Sequence, residues 1–371
     1  MLPYTGDYTE HIDPEKPSLT FYSFTPRPLM HGGMYQMDDE LATLLTEAHR
    51  NIGFLEGLVT YAPNKEAFAE LMLLKECTYS RMIDYDDPHF KEVLTIRGTG
   101  KGGITPITNL EMAYKAAKSM EIAAPDLIRI CSIALNGELE NKSIDVREHQ
   151  TFWMGVKTDF KGYNPTAPDA VLPALADISA YLYNDHNTDP LIKAALVHYQ
   201  FEMIHPFERY NGIVGRIIVP MILRDVIGKA RSLICLSEYL YQNKNEYFDL
   251  LRTTQYSGGY IRWIKFFVTA VGQAAEQSAE QLIHYEQIVA RDYDRLLGIR
   301  NSPKSVCSVY EFLKATLILN SSFAAKAIGL SFNSVSKAMR VLQEYGIVAQ
   351  ISDSERNRIW VYKSLSDGIE K

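Results

Sequence analysis

Long apolar runs, clustered cysteines and a surplus of positive charge are all absent from the sequence. No stretch of about eighteen apolar residues occurs, and the polar, acidic start MLPYTGDYTEHIDPEK contains no signal segment, so neither a membrane span nor a leader is expected. The four cysteines lie far apart without CxxC spacing, which argues against metal clusters and disulfides and favours a reducing cytoplasm. The net charge of -7 argues against a generally basic nucleic-acid coat and leaves only a local basic face.

What the sequence does contain predicts a mainly α fold of two or three domains. The chain has 371 residues, of which 46% are hydrophobic, enough for substantial cores. Pro-rich residues 1–35 predict an extended N-terminal arm, and helical periodicity begins near residue 36. The expected divisions after the arm are a helical region at 36–125 with a strong helix at 65–84, a core at 126–298 and a tail at 306–371.

Two segments of the core carry distinctive patterns. The stretch 189–204 begins with Asp189 as a candidate helix cap and Pro190 at the first turn, and its apolar spacing predicts a central helix. Alternation and aromatic residues over 143–157 predict a short β-hairpin, with a flap at 147–157. The Gly-rich stretch 96–106 lacks the spacing and the preceding strand of a phosphate loop.

The tail predicts three helices followed by a β-hairpin, the outline of a winged helix-turn-helix. Ser331 is the expected cap of the third helix and Gly346 its end, with Val335, Met339 and Leu342 facing inward. Such a domain binds DNA or mediates protein contacts, including homodimerisation, and the sequence leaves both open. The expected phosphate or groove contacts are Lys337, Arg340, Arg356 and Arg358.

The stretch FEMIHPFERYNGIVGRII, residues 201–218, predicts an anion site between two helices. A helix that begins near Asn211 presents N–H groups and a positive dipole end, and Asn211 and Gly212 suit unusual backbone angles. Arg216 lies one turn further, where its guanidinium can clamp a phosphate, and His205 titrates in the range of a general base. These residues together could orient a nucleotide phosphate and activate a hydroxyl to attack it.

Two simpler interpretations of the same residues stay open. In one, His205 is a satisfied core histidine at a helix end and Arg216 forms a surface ion pair. In the other, His198, Glu202 and His205 ligate a metal from one face of a helix, although Pro206 ends that helix and no fourth ligand is evident.

The stretch HPFERYNGIVGR (205–216) closely resembles the Fic motif HPFx(D/E)GNGRxxR. The resemblance covers nearly the whole chain and implies the Fic helical bundle with a small β-hairpin flap, followed by the winged helix-turn-helix tail. Further similar segments are SFTPRPL (23–29) to the family's proline-rich arm, RNIGFLEGLVTYAPN (50–64) to its first helix, KECTYSRMIDY (75–85) to its inhibitory helix, REHQTFWMG (147–155) to its target-binding flap, and NEYFDLL (245–251) and WIKFF (263–267) to later helices.

The resemblance implies transfer of AMP from ATP to a Ser, Thr or Tyr hydroxyl of a protein target. In family terms, His205 is the general base, Phe207 anchors the loop and Arg216 holds the terminal phosphate. The resemblance further implies a phosphate-binding group of Asn211, Gly212 and Gly215, adenine neighbours at Phe248 and Gln255, an inhibitory pair of Ser80 and Asp84, and a flap of Thr151, Phe152, Trp153, Met154 and Gly155 that pairs with the target as an added strand.

Three motif positions depart from the family pattern. Arg209 stands where the family has an acidic metal ligand, and an arginine repels Mg²⁺ instead of binding it. Tyr210 replaces a glycine and requires a positive φ, and Ile213 removes one phosphate donor. Two functions follow: a Fic-type transferase with ATP or another nucleotide as donor and Arg209 on its phosphates, or a catalytically inactive Fic-fold regulator whose residues 306–371 bind DNA.

Overall fold

The chain is described by a computed structural model that is mostly helical. It describes residues 5–12, 20–137, 144–151, 164–224, 228, 230, 233–299, 304–352 and 358–369. The helices of the first half are α1 (Asp39–Tyr61), α2 (Lys65–Asp84), α3 (Phe90–Thr99), α4 (Thr105–Ala117), α5 (Ala124–Asn136), α6 (Pro168–Asn184), α7 (Pro190–Ile204) and α8 (Asn211–Ile222). Those of the second half are α9 (Leu236–Gln242), α10 (Lys244–Ser257), α11 (Tyr260–Leu297), α12 (Lys304–Thr316), α13 (Ser321–Ile328), α14 (Phe332–Glu344) and α15 (Lys363–Ile369).

The N-terminal region is a β-hairpin and not the single extended arm expected from its prolines. Strands β1 (Gly6–Ile12) and β2 (Thr20–Pro26) pair antiparallel, with Tyr8 opposite Phe24. The amide of Phe24 also donates to the carbonyl of Asn164 at 3.1 Å, and the Thr166 hydroxyl donates to the carbonyl of Phe24 at 3.0 Å. Pairing on both edges of β2 satisfies its backbone groups, which the proline count could not anticipate.

One compact unit comprises residues 1–50, 108–231 and 239–273, and α7 is its central helix. Asp189 caps α7 by accepting from the amide of Leu191 at 2.8 Å, and Pro190 occupies its first turn, as the sequence predicts. All side chains of α7 from Ala194 to Ile204 are buried, because α6, α8 and β2 pack around it. This helix ends where the HPF stretch begins, so the best-packed element of the unit fixes one end of that stretch.

A second compact unit comprises residues 51–107, 232–238 and 274–371. Its C-terminal part contains α12, α13 and α14 with a three-stranded antiparallel sheet of order β3-β5-β4, made of Ile318–Asn320, Ile359–Val361 and Ala349–Gln350. Ser331 caps α14 by accepting from the amide of Ser334, and Val335, Met339 and Leu342 are buried, as predicted.

The C-terminal part does not stand apart as the sequence boundaries at 298–305 suggested. Gly98 of α3 lies so close to β3 that an added Cβ would be 1.6 Å from the carbonyl oxygen of Ile318. The Asn320 amide donates to the carbonyl of Thr99 at 3.1 Å, and Lys314 donates to the Asn64 side chain at 2.7 Å. Helices α2 and α3 therefore share one core with residues 304–369, a long-range arrangement that local periodicity does not reveal.

The hairpin predicted over 143–157 is not seen where the structure describes that stretch. Residues 144–151 are irregular, and residues 143 and 152–157 lie outside the described residues. Within residues 144–151, the Arg147 side chain donates to the carbonyls of His205 and Ile204. Among the helices that the structure describes, none is long and apolar enough to cross a membrane.

Candidate active site at the end of helix α7

His205 lies half-buried at the end of α7 with a left-handed backbone, φ 52° and ψ 61°. This conformation costs a non-glycine residue on the order of 1–2 kcal/mol, so neighbouring contacts must hold it. Nδ1 lies 3.4 Å from the carbonyl oxygen of Glu202. A carbonyl can only accept, so this contact places the proton on Nδ1 and leaves the lone pair on Nε2. Nε2 is therefore the atom that could take a proton from a substrate.

The loop after His205 is closed by Asn211. Its Oδ1 accepts from the amide of Phe207 and its Nδ2 donates to the carbonyl of Phe207, both at 2.8 Å. Phe207 is buried, as the resemblance implies. The unusual backbone angle lies at Tyr210, with φ 67°, whereas Asn211 and Gly212 are already helical. The expected unusual backbone angles at Asn211 and Gly212 are therefore wrong, and the positive φ expected at Tyr210 is confirmed. Phosphate binding by Asn211 and Gly212 stays a prediction.

The loop lines a cavity of about 310 Å³ in the first unit. Phe207, Glu208 and Arg209 form one side, and the segment 144–149 with Leu135 of α5 forms the other. The side chain of Arg209 is exposed, while the carbonyl of Arg209 accepts a contact from the Cys131 thiol at 3.7 Å. Burial raises the pKa of Cys131 to about 12, so this thiol stays protonated and unreactive. The cavity thus combines an exposed cation with the loop that follows His205.

Helices α7 and α8 meet through a buried polar layer. His198 is fully buried: Nδ1 donates to the carbonyl of Gly215 at 2.9 Å and Nε2 accepts from the Tyr247 hydroxyl at 2.9 Å. Burial lowers the pKa of His198 to about 3, with a further lowering from the charge of Arg216, so this imidazole is neutral. Both nitrogens are engaged, which removes His198 from the metal-ligand set considered above. No group of three His, Cys, Asp or Glu side chains among the described residues could hold a metal ion.

Gly215 and Arg216 lie in this layer instead of on the loop. A Cβ at Gly215 would stand 2.3 Å from Glu202 Oε1, so glycine permits the close approach of α8 to α7. Packing against Glu202 is the role that the structure gives Gly215, and its contact with a phosphate stays a prediction. Arg216 is only 1% exposed, which excludes the surface ion pair, and Ile213 is buried in the core. Contact of Arg216 with a phosphate stays a prediction.

Arg147 is the site residue that sequence analysis left without a role. Its guanidinium is buried and donates to the carbonyls of His205 at 2.7 Å, Ile204 at 3.2 Å, His149 at 3.1 Å, and Thr166. Its own amide donates to the carbonyl of Pro206 at 2.9 Å. The only signal in the sequence was its place at the start of the flap-like stretch 147–155.

The remaining candidate residues of this unit are placed as follows. Gln255 is buried and its amide donates to the hydroxyl of Tyr8 on β1 at 3.0 Å, while Phe248 is half-buried against Tyr247. Thr151 is half-buried at the end of the described flap segment. The other flap residues, Phe152, Trp153, Met154 and Gly155, lie outside the described residues. Roles in adenine and target binding stay predictions.

The candidates of the second unit are also placed. Ser80 is buried and Asp84 is exposed at the end of α2, beside Arg81, which pairs with Asp87. Lys337 and Arg340 are exposed on α14 and Arg358 is half-buried, while Arg356 lies outside the described residues. Inhibition and DNA binding stay predictions.

Comparison with known proteins bears directly on the loop and its two helices. Residues 122–223, which contain α5 to α8 and the HPF stretch, match the model of the Fic/DOC family. Residues 122–223 form a Fic/DOC family domain. The matched residues include His205, Asn211 and every residue that lines the cavity.

Similar proteins extend the comparison beyond this domain. The protein adenylyltransferases fic-1 of Caenorhabditis briggsae and Caenorhabditis elegans are 39% and 36% identical over 64 residues, 16% of this chain. That match spans only 12% of each nematode protein. A Fic family protein from Desulfovibrio desulfuricans G20 shares the fold over 89% of this chain and 98% of its own, with a TM-score of 0.57 and 17% identity. The fold around the Fic/DOC domain thus matches a solved Fic structure.

Proposed function

We propose that the protein transfers AMP, or another phosphate-bearing group, from a nucleotide donor to a Ser, Thr or Tyr hydroxyl of a protein. The observation that carries this proposal is the left-handed His205, with Nδ1 engaged, two residues before the Phe207–Arg209 side of a 310 Å³ cavity. A strained residue held by its surroundings marks a functional position, and its Nε2 lone pair suits a base near neutrality. The adenylyltransferase name of the nematode relatives supports the reaction class.

In the proposed step, Nε2 of His205 accepts the proton of the target hydroxyl. The hydroxyl oxygen bonds to the α-phosphorus, the bond from that phosphorus to the bridging oxygen breaks, and pyrophosphate leaves when ATP is the donor. The first-turn amides of α8 have no acceptors within their own helix, so they and the positive dipole end can take phosphate oxygens.

Mg²⁺, which the family resemblance implies, does not fit the residues present. Arg209 carries a positive charge at the acidic position, and the described residues offer no triad of metal ligands. We propose that Arg209 contacts the donor phosphates directly, so that donor binding requires no metal. This substitution supplies charge but no Lewis acid, and slow turnover is the expected consequence.

Calorimetric titration of ATP tests the donor site. Wild type should bind ATP equally with Mg²⁺ and with a chelator, because Arg209 supplies the charge. Arg209→Glu should bind only with Mg²⁺, and Arg224→Lys, outside the cavity, should behave as wild type. Other nucleoside triphosphates titrated in the same way identify the donor. Absence of nucleotide binding in every condition would reject the donor site.

A second candidate function is DNA binding through the C-terminal part, proposed to be a winged helix-turn-helix. The order of α12, β3, α13, α14, β4 and β5 matches this outline, and α14 exposes Lys337 and Arg340 while its opposite face is buried. If Lys337 and Arg340 each contact a phosphate, the logarithm of the DNA-binding constant should fall with the logarithm of salt concentration with a slope near −2, about −0.9 per contact. Lys337→Glu/Arg340→Glu should abolish that slope, and a wild type without salt-sensitive DNA binding would reject this function.

A further inference from the structure

At the C-terminal end of α7, several consecutive backbone carbonyls accept hydrogen bonds from distant segments of the chain. The last carbonyls of any helix have no intrahelical donors. Here the carbonyl of Met203 accepts from the amide of Thr166 at 3.3 Å, and those of Ile204, His205 and Pro206 accept from Arg147. One side chain and its own amide therefore account for three consecutive carbonyls around His205.

This arrangement explains why His205 can hold a conformation that favours glycine. A helix that ends in a left-handed residue usually has glycine there. The Arg147 guanidinium donates to the carbonyls of Ile204 and His205, which flank the φ and ψ bonds of His205. Its positive charge lies at the negative end of the α7 dipole. Burial lowers the pKa of Arg147 to about 10, so the group stays charged at neutral pH.

The same guanidinium joins His205 to two other segments. It reaches the carbonyl of His149, in the segment that lines the cavity and leads into the flap-like stretch, and the carbonyl of Thr166, which is fixed to β2. All four groups that accept from the Arg147 side chain are neutral carbonyls, so hydrogen bonds and not an ion pair hold the guanidinium in place. A planar fork with five N–H groups can do this, whereas a lysine ammonium cannot reach four separated acceptors.

We propose that Arg147 is a positioning residue for His205, which holds the left-handed backbone and thereby the Nδ1–H tautomer that presents Nε2 as the base. This inference deepens the proposed transfer function and depends on it for its kinetic consequence. Its structural consequence, the tautomer of His205, does not require transfer to occur.

Nitrogen NMR of histidine side chains in the full-length protein tests the structural consequence. The nine histidines are labelled, and His205 is assigned by the signal lost in His205→Ala. At a pH where its ring is neutral, His205 of wild type should carry the proton on Nδ1. Arg147→Lys should convert this signal to a mixture of both tautomers, while the matched control Arg224→Lys, an arginine at the end of α8 that donates to Glu121, leaves it unchanged.

Transfer kinetics test the functional consequence with the same variants. Misplacement of a reacting group by about 1 Å costs roughly 100-fold in rate, so Arg147→Lys should lower kcat by that order while ATP affinity stays within about threefold. The loss should vanish in a His205→Ala background, because no base is left to position. Arg147→Gln, which keeps two N–H donors, serves as the second variant if the lysine variant does not fold.

The outcomes separate the two claims. A tautomer change without any wild-type transfer would refute the transfer function and support the positioning role. An unchanged His205 signal in Arg147→Lys would overturn the positioning role whether or not transfer is seen. Parallel loss of ATP binding and of folding in both Arg147 variants would assign the residue to the fold alone and would also overturn it.

Discussion

At the scale of single residues, two histidines seven positions apart on one helix have opposite assignments. His198 is neutral and enclosed, with both nitrogens engaged and its ring stacked on Trp263 at 6.0 Å. His205 is half-buried at the end of the helix, with Nδ1 3.4 Å from the carbonyl oxygen of Glu202. The sequence predicted His205 as the general base from its place beside the anion site and from the motif resemblance, but spacing alone could not show that His198 belongs to the core.

The neutral His198 makes a prediction for stability against pH. Its folded pKa of about 3 lies below the ordinary value of 6.5, so the unfolded state binds a proton that the folded state does not. Stability from this group is present above pH 6.5 and is lost as pH falls towards 3, by about 1.4 kcal/mol per pH unit. The free energy of unfolding, measured by urea titration between pH 4 and 6.5, should therefore change less steeply with pH in His198→Gln, by about that amount per pH unit. Identical slopes in both proteins would contradict a neutral His198.

At the scale of elements, the join between α7 and α8 was only partly predictable. The cap at Asp189 and the stop at Pro206 are local signals, and they gave the extent of α7 correctly. Two other features were not predictable, because each depends on groups placed by the fold. They are the hydrogen bonds between Asn211 and Phe207 and the contacts of Arg147. Arg147 and Ile204 are 57 residues apart, beyond any local pattern.

A paired substitution tests the close approach of these helices. Gly215→Ala places a methyl group against Glu202 and should destabilise the protein by about 1–3 kcal/mol through overpacking. The control Gly57→Ala lies in α1 with no atom within 4 Å, so helix propensity should stabilise it by up to about 1 kcal/mol. Free energies of unfolding from urea titration measure both. Equal effects of the two substitutions would exclude a packing role for Gly215.

At the scale of the whole molecule, the residues cluster in two compact units. The tail was predicted as a domain of its own after a linker, yet it shares a compact unit with α2 and α3. Its helices were predictable from period and caps, whereas its packing partners were not, because a glycine at 98 reveals a close approach only when the facing strand is known.

Gly98→Ala tests that division. The added methyl group would meet the carbonyl of Ile318 and should destabilise the α3–β3 contact by more than about 1 kcal/mol. Hydrogen exchange should then rise in both 90–99 and 318–320. Gly103→Ala, with open space around it, is the matched control and should leave exchange unchanged. A tail whose exchange is insensitive to Gly98→Ala would contradict a shared core.

In the proposed function, His205 activates a hydroxyl for attack on a bound nucleotide. The most direct measurement is transfer of label from α-phosphate-labelled ATP to protein hydroxyls in the presence of a chelator, with the modified residue identified by mass spectrometry. Wild type should label Ser, Thr or Tyr slowly, and His205→Ala should lose this labelling. Labelling that is equal in both proteins, or absent from wild type with and without Mg²⁺, would contradict the proposed function.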